Sequence, residues 1–185
     1  MRIRTSHNRT AFTLLEILLV LAIFVIMAAV SVPLMRTMLG DASATAAADA
    51  ISGQLAEARA RAMDEGRAWR VAVWPNSRAY QLAPEDSADW NGNPAEEVID
   101  KVDFIRGLIP KNTIFGTREE DIFPIEKAGA PTGTWTTVAV FLPDGSARDD
   151  GLIFVGTPGI RPMRVSVRAL TGTASIESYK GTGQP

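Results

Sequence analysis

The 185-residue chain contains no cysteine and only one histidine, His7. Without cysteine there is no disulfide frame, so any folded domain must take its stability from packing. The two absences also remove Cys and His nucleophile systems and His/Cys zinc sites from everything after residue 7. No glycine-rich phosphate loop or other cofactor signature is present. Paired carboxylates remain possible in principle, but the expectation is a chain that is not an enzyme, with no metal and no cofactor. A strong positive charge is missing too, with 19 Lys and Arg against 21 Asp and Glu. Broad binding of polyanions is not expected of such a chain.

What the sequence does contain is one long apolar run. Residues 17–32 hold a single polar side chain, Ser31, and Pro33 closes the run. Arg2, Arg4 and Arg9 precede it, with no acidic residue among the first eleven. Length and flanking charge together read as a membrane-spanning helix with its N-terminus cytoplasmic. One carboxylate, Glu16, stands near its start. A charge in such a helix costs about 2.5 to 3.5 kcal/mol on insertion scales, so Glu16 calls for a partner or a function.

The segment Ala11, Phe12-Thr13-Leu14-Leu15-Glu16 and Ile17 onward resembles the N-terminus of type IV pilin-like precursors. The resemblance implies that a prepilin peptidase cuts between Ala11 and Phe12 and that Phe12 is then N-methylated. Residues 1–11 would be the leader. Ala11 stands where the family usually has glycine, a departure of one methyl group. Pro33 falls where many members carry a helix-bending proline. The new amine at Phe12 would lie about one helical turn from Glu16. In a filament of packed helices a neighbour's amine could neutralise Glu16 and so fix register. Two rival readings are a plain signal anchor, with Glu16 near the headgroups, and a secretory signal peptide cut after Ala29 or Ser31. The second normally has a shorter apolar core of about 7 to 15 residues. Loss of residues 1–11 removes three arginines and no acid, leaving 16 basic and 21 acidic side chains and a net charge of −5.

Beyond the apolar run an amphipathic helix is expected to continue to Gly66. Leu34, Met38, Ala42, Ile51, Leu55, Ala58 and Ala62 form the proposed apolar stripe, with Asp41, Asp49, Gln54, Glu57, Arg59 and Arg61 off it. Pro33 is expected to kink the long helix. After Gly66 the period becomes strand-like. Residues 68–74 and 78–83 read as a hairpin about Pro75-Asn76-Ser77. Further strands are expected over residues 98–105, 135–142, 152–155, 163–170 and 173–179, six or seven in all. Pro143-Asp144-Gly145-Ser146 and Thr171-Gly172 mark turns. This order, with residues 141–147 and 170–176, resembles the GspH/FimT branch of the pilin-like family, whose members are minor pseudopilins of type II secretion or minor type IV pilins.

Residues 84–97 and 117–134 match nothing in that branch. Trp90, in the first of them, has two readings: an exposed anchor for a partner, since interface hot spots favour tryptophan, or a side chain packed on its own domain. The second is preferred because large aromatics bury their area. Arg118-Glu119-Glu120-Asp121 and Asp149-Asp150-Gly151 lack the spacing of a calcium loop and read as solvated charge. Arg161, Arg164 and Arg168 are the residues on which nucleic-acid binding would rest. Alternation puts Arg164 and Arg168 on one strand face, and a solvated face is preferred.

The expected fold is therefore α+β, with a long N-terminal helix packed on an antiparallel β-sheet or β-sandwich head. The divisions are a leader over 1–11, a transmembrane helix over 12–33, its amphipathic continuation over 34–66 and a β-rich periplasmic head over 67–185. The resemblance implies a minor pilin-like structural subunit of the bacterial inner membrane, single-pass, that joins a periplasmic filament. Its implied partners are a prepilin peptidase, a major pseudopilin or pilin and other minor subunits. The alternatives are a FimT-like minor pilin in pilus assembly or DNA uptake, and a signal-anchored β-domain that binds other molecules.

Overall fold

The computed structural model describes residues 13–91, 100–101, 103–122 and 133–179. One helix, α1 (Leu14–Glu65), precedes nine strands among these residues. Helix α1 is continuous through residue 33, where proline removes one backbone donor from the ladder. It ends where Gly66, at φ +68°, donates its N–H to the Ala62 carbonyl at 3.1 Å. A left-handed residue just past the last turn is where glycine costs least. By contact the chain divides into two units, residues 1–38 and residues 39–185.

In the second unit the buried stripe of α1 is Ala44, Ala47, Ala48, Ile51, Leu55, Ala58 and Ala62. This corrects the expected stripe at its upper end, because Met38 and Ala42 are exposed. Ala42 lies nine residues before Ile51, about two and a half turns, which is the opposite side of a helix. The alanine-rich middle carried no contrast from which to read that phase.

Strands β1 (Trp69–Val73), β2 (Ala79–Pro84), β3 (Asp100–Lys101), β4 (Phe104–Leu108) and β6 (Thr136–Phe141) form one antiparallel sheet in the order β3-β4-β2-β1-β6. Strands β5 (Ile114–Gly116), β7 (Gly151–Gly156), β8 (Met163–Val167) and β9 (Ala174–Ser178) form the second, in the order β5-β7-β8-β9. The β1–β2 hairpin turns through Asn76 at φ +57°, as its Pro-Asn-Ser signal implies.

The strand expected over 98–105 is not a single element. Its place is taken by a short hairpin in which Asp100 faces Ile105 and Lys101 faces Phe104, and β4 runs on to Leu108. Gly107 obscured β4, since glycine weakens strands. The structure needs it there: a Cβ on Gly107 would lie 2.4 Å from the Tyr80 hydroxyl directly across the pair. Strand β5, three residues long, was not expected at all.

The two sheets meet where β6 passes to β7. The β1–β6 pairing shifts register between Val71 and Ala72, so that Ala139 faces Val71 and Thr137 faces Ala72. The Val138 carbonyl then lies 2.2 Å from where a Cβ on Gly151 would stand, so only glycine fits there. The helix stripe, one face of each sheet and Phe115 share a single core. Its largest members include Trp69, Phe141, Ile51, Leu55, Leu82 and Ile153, all buried. The α+β expectation, a helix followed by antiparallel sheets, is the observed class.

Candidate assembly segment and the surfaces of the head

The N-terminal motif enters the described residues at Thr13; the cleavage pair Ala11 and Phe12 lies outside them. Thr13 caps α1. Its carbonyl accepts from the N–H of Glu16 at 3.0 Å and of Ile17 at 3.3 Å, and its Oγ1 accepts from the Glu16 N–H at 3.3 Å. A threonine followed three residues later by glutamate before an apolar run is the sequence form of a capping box. Thr13 and Glu16 thus take part in starting the helix, a role the motif carries in plain sight. Glu16 also adds negative charge to the first turn, where the helix dipole favours it. Among the described residues no cation pairs with its carboxylate.

Every side chain from Leu14 to Val32 is exposed, and this stretch is long and apolar enough to cross a membrane. Its one hydroxyl after Glu16, on Ser31, donates to the Met27 carbonyl at 2.8 Å. Backbone and hydroxyl are therefore satisfied inside the helix, as a lipid environment requires.

In the head, Trp90 is buried rather than presented, at 6% exposure. Of its two readings, the preferred one, packing on its own domain, is observed, and the exposed partner anchor is not. Trp90 sits in a short 3-10 turn (Ala88–Asn91) against the outer face of the first sheet. Its Nε1 donates to the Pro84 carbonyl at 3.1 Å, and its own carbonyl accepts from Gln81 Nε2 at 3.1 Å. Its ring meets Phe104 edge-on at 6.1 Å. On the same face Arg106 is buried, donates twice to Gln81 Oε1 at 3.0 and 3.3 Å, and has Phe104 and Trp135 rings at 5.4 and 5.3 Å. Alternation puts Arg70, Ala72, Gln81 and Ala83 on this face and Trp69, Val71 and Leu82 on the other. A second apolar layer therefore covers the sheet.

Two turns converge on α1 at Arg59. Gly145, at φ +83° in the Asp-Gly turn, accepts from Arg59 Nε at 2.8 Å. Gly172, at φ +59° in the β8–β9 turn, lies so close that a Cβ there would stand 2.1 Å from the Gly145 carbonyl. Asp144 tightens its own turn by accepting from the Ser146 N–H at 2.9 Å and from its hydroxyl at 2.6 Å. These bonds hold the Asp144 carboxyl below the usual carboxylate range. Both turns were legible in the sequence, but not that they meet.

The charge clusters are structural. Asp121 Oδ2 accepts from the Thr117 N–H and the Arg118 N–H, each at 2.8 Å, and so opens a single 3-10 turn (Glu119–Asp121). Asp150 accepts from the Ala169 N–H at 2.7 Å, tying the start of β7 to the end of β8. Arg164 pairs with Glu177 across β8 and β9 at 2.5 Å, so one of the three arginines considered for nucleic acid is neutralised. Arg148 grips Glu85 with both terminal nitrogens, at 2.5 and 2.6 Å. Hydrogen bonding by Arg148 is the largest influence that lowers the Glu85 pKa.

Residues 6–32 match the family described as a prokaryotic N-terminal methylation motif. A comparison with curated protein sequences finds no match. Among solved structures, the chain is similar to the minor pseudopilin EpsH of the Type 2 Secretion System of Vibrio cholerae, at 13% identity and a TM-score of 0.49, covering 75% of this chain and 99% of that one. It is also similar to the type IV minor pilin FimU of Pseudomonas aeruginosa, at 11% identity and a TM-score of 0.45, covering 72% of this chain and 91% of that one.

Proposed function

We infer that this chain, type IV pilin-like through the methylation motif it carries, is a minor structural subunit of a periplasmic pseudopilus that serves type II protein secretion. A prepilin peptidase cuts between Ala11 and Phe12 and methylates the new terminus. The subunit waits in the inner membrane, N-terminus cytoplasmic and head periplasmic, and then enters the filament. Its role is assembly, with no catalytic step. Leu14–Val32 packs among the helices of a major pseudopilin and other minor subunits once it leaves lipid. A neighbour's N-terminal amine offsets the charge of Glu16 and sets register.

The observation that carries this reading is the run Phe12-Thr13-Leu14-Leu15-Glu16 at the head of a helix whose apolar side chains are exposed through residue 32. Such a surface demands lipid or other helices around it. The pairing of Arg164 with Glu177 and the net charge of −5 left once residues 1–11 are removed weigh against DNA uptake, the task that would favour a FimT-like minor pilin.

Mass spectrometry of the N-terminus of the membrane-expressed chain, with and without a prepilin peptidase, tests the proposal. A chain beginning at N-methylated Phe12 only when the peptidase is present is the expected result. A start near residue 30 or 32, or an uncut Met1 in both samples, would overturn it.

A further inference from the structure

Beside the junction of the two turns a groove of about 270 Å³ opens on the surface of the head. Helix α1 contributes Ala56, Arg59, Ala60 and Met63, and the β8–β9 turn contributes Gly172 and Thr173. The space exists because the side chains that could fill it are small. Ala56 and Ala60 stand one turn apart on the exposed side of α1, and Gly172 has no side chain, as its positive φ and the nearby Gly145 carbonyl require. Met63, half exposed, supplies a flexible apolar wall that adapts to what lies against it.

Arg59 gives the groove its chemistry. Its Nε is spent on the Gly145 carbonyl, which fixes the plane of the guanidinium. Among the described residues its two terminal nitrogens meet no hydrogen-bond acceptor and no carboxylate within ion-pair distance. Arg61, two residues further along the same helix, is by contrast paired with Glu57 at 2.7 Å. A half-buried cation held rigid without an anion is costly unless one is supplied. It is also a positive spot on a chain that, without its leader, carries a net charge of −5.

We propose that this groove is a docking site for a peptide segment of another protein chain that presents an aspartate or glutamate, its carboxylate taking the free fork of Arg59 and its neighbouring apolar atoms lying on Ala56, Ala60 and Met63. A planar guanidinium with two parallel N–H groups matches a carboxylate better than any neutral acceptor. The groove lies wholly within residues 52–174, so the site stands apart from how the N-terminus is processed.

Full-length, uncleaved protein in detergent micelles is titrated with a short capped peptide carrying one glutamate, and with the same peptide carrying glutamine. The Arg59 Nε–H and the Gly172 and Thr173 amides are followed by NMR. Saturable shifts of all three with the glutamate peptide are expected, with binding about tenfold weaker for the glutamine peptide. Ala56→Glu, which supplies a carboxylate one turn from Arg59 on an exposed face, abolishes the response, and Ala56→Gln retains most of it. The proposal is overturned if the Arg59 and Thr173 signals do not move, if both peptides bind equally, or if Ala56→Glu binds as well as the parent.

Discussion

The guanidinium of Arg70 lies 3.5 Å from the centre of the Trp90 ring, so the one aromatic of an acidic surface loop serves as the lid of a partly buried cation. Burial lowers the Arg70 pKa, and Glu85 nearby opposes that shift. Trp90 also closes the layer of Ala72, Ala83 and Phe104. Trp90→Ala removes the stacking and leaves a cavity, and is expected to cost about 3 kcal/mol. Urea unfolding followed by circular dichroism measures the loss. A change under about 0.5 kcal/mol, the size of an ordinary surface substitution, would show that the ring does not pack there.

The phase of α1 predicts a contrast between two alanines. Ala48 is buried against the sheets and Ala42 is exposed. Ala48→Leu overpacks the core and is expected to destabilise by about 2 kcal/mol. Ala42→Leu is expected to stay within about 0.5 kcal/mol. Paired thermal unfolding of the two variants decides the matter, and the opposite order would put Ala42 on the buried side of α1.

Gly172→Ala must place a methyl group against the Gly145 carbonyl from a left-handed backbone. The expected loss is about 2 kcal/mol or more. Amide exchange would be fastest near residues 145 and 172, with β1 and β2 unaffected. Gly53→Ala is the control, since a Cβ there meets nothing within 4 Å and the residue is helical. It is expected to stabilise by up to about 1 kcal/mol.

Glu85 gives the head part of its acid sensitivity. Its carboxyl is held below its ordinary value in the fold, chiefly by Arg148. A depressed folded pKa contributes stability that is present above the unfolded value, about 4.3, and is lost as pH falls through the folded one. The Arg148–Glu85 pair is partly solvated, so its contribution is at most about 1 kcal/mol. Wild type should exceed Glu85→Gln in urea midpoint at neutral pH and converge with it well below pH 4. A gap that persists undiminished into acid would assign the difference to packing rather than charge.

The elements were legible to different depths. The first hairpin, the turns at Gly145 and Gly172 and the strands that became β6 to β9 announced themselves by alternation and by Asn, Asp and Gly at reversals. The capping role of Thr13 toward Glu16 is equally legible, as a threonine three residues before a glutamate. The strands β3 and β5 were not legible, because two and three residues are too brief for a period, and Gly107 hid the run of β4 to Leu108. The burial of Trp90 followed from its size, but its partners Arg70, Gln81 and Phe104 come from distant strands and no local pattern joins them.

By itself the sequence determined the apolar N-terminal segment, its single carboxylate and the α+β order of elements, because composition, run length and local periodicity are properties of neighbours in the chain. Only the tertiary structure decided which face of α1 is buried and which residues meet Trp90. It also decided that two glycine turns 27 residues apart meet at Arg59, whose terminal nitrogens have no partner among the described residues. Those are matters of which strand lies beside which, and the core settles them by packing the helix stripe against both sheets at once.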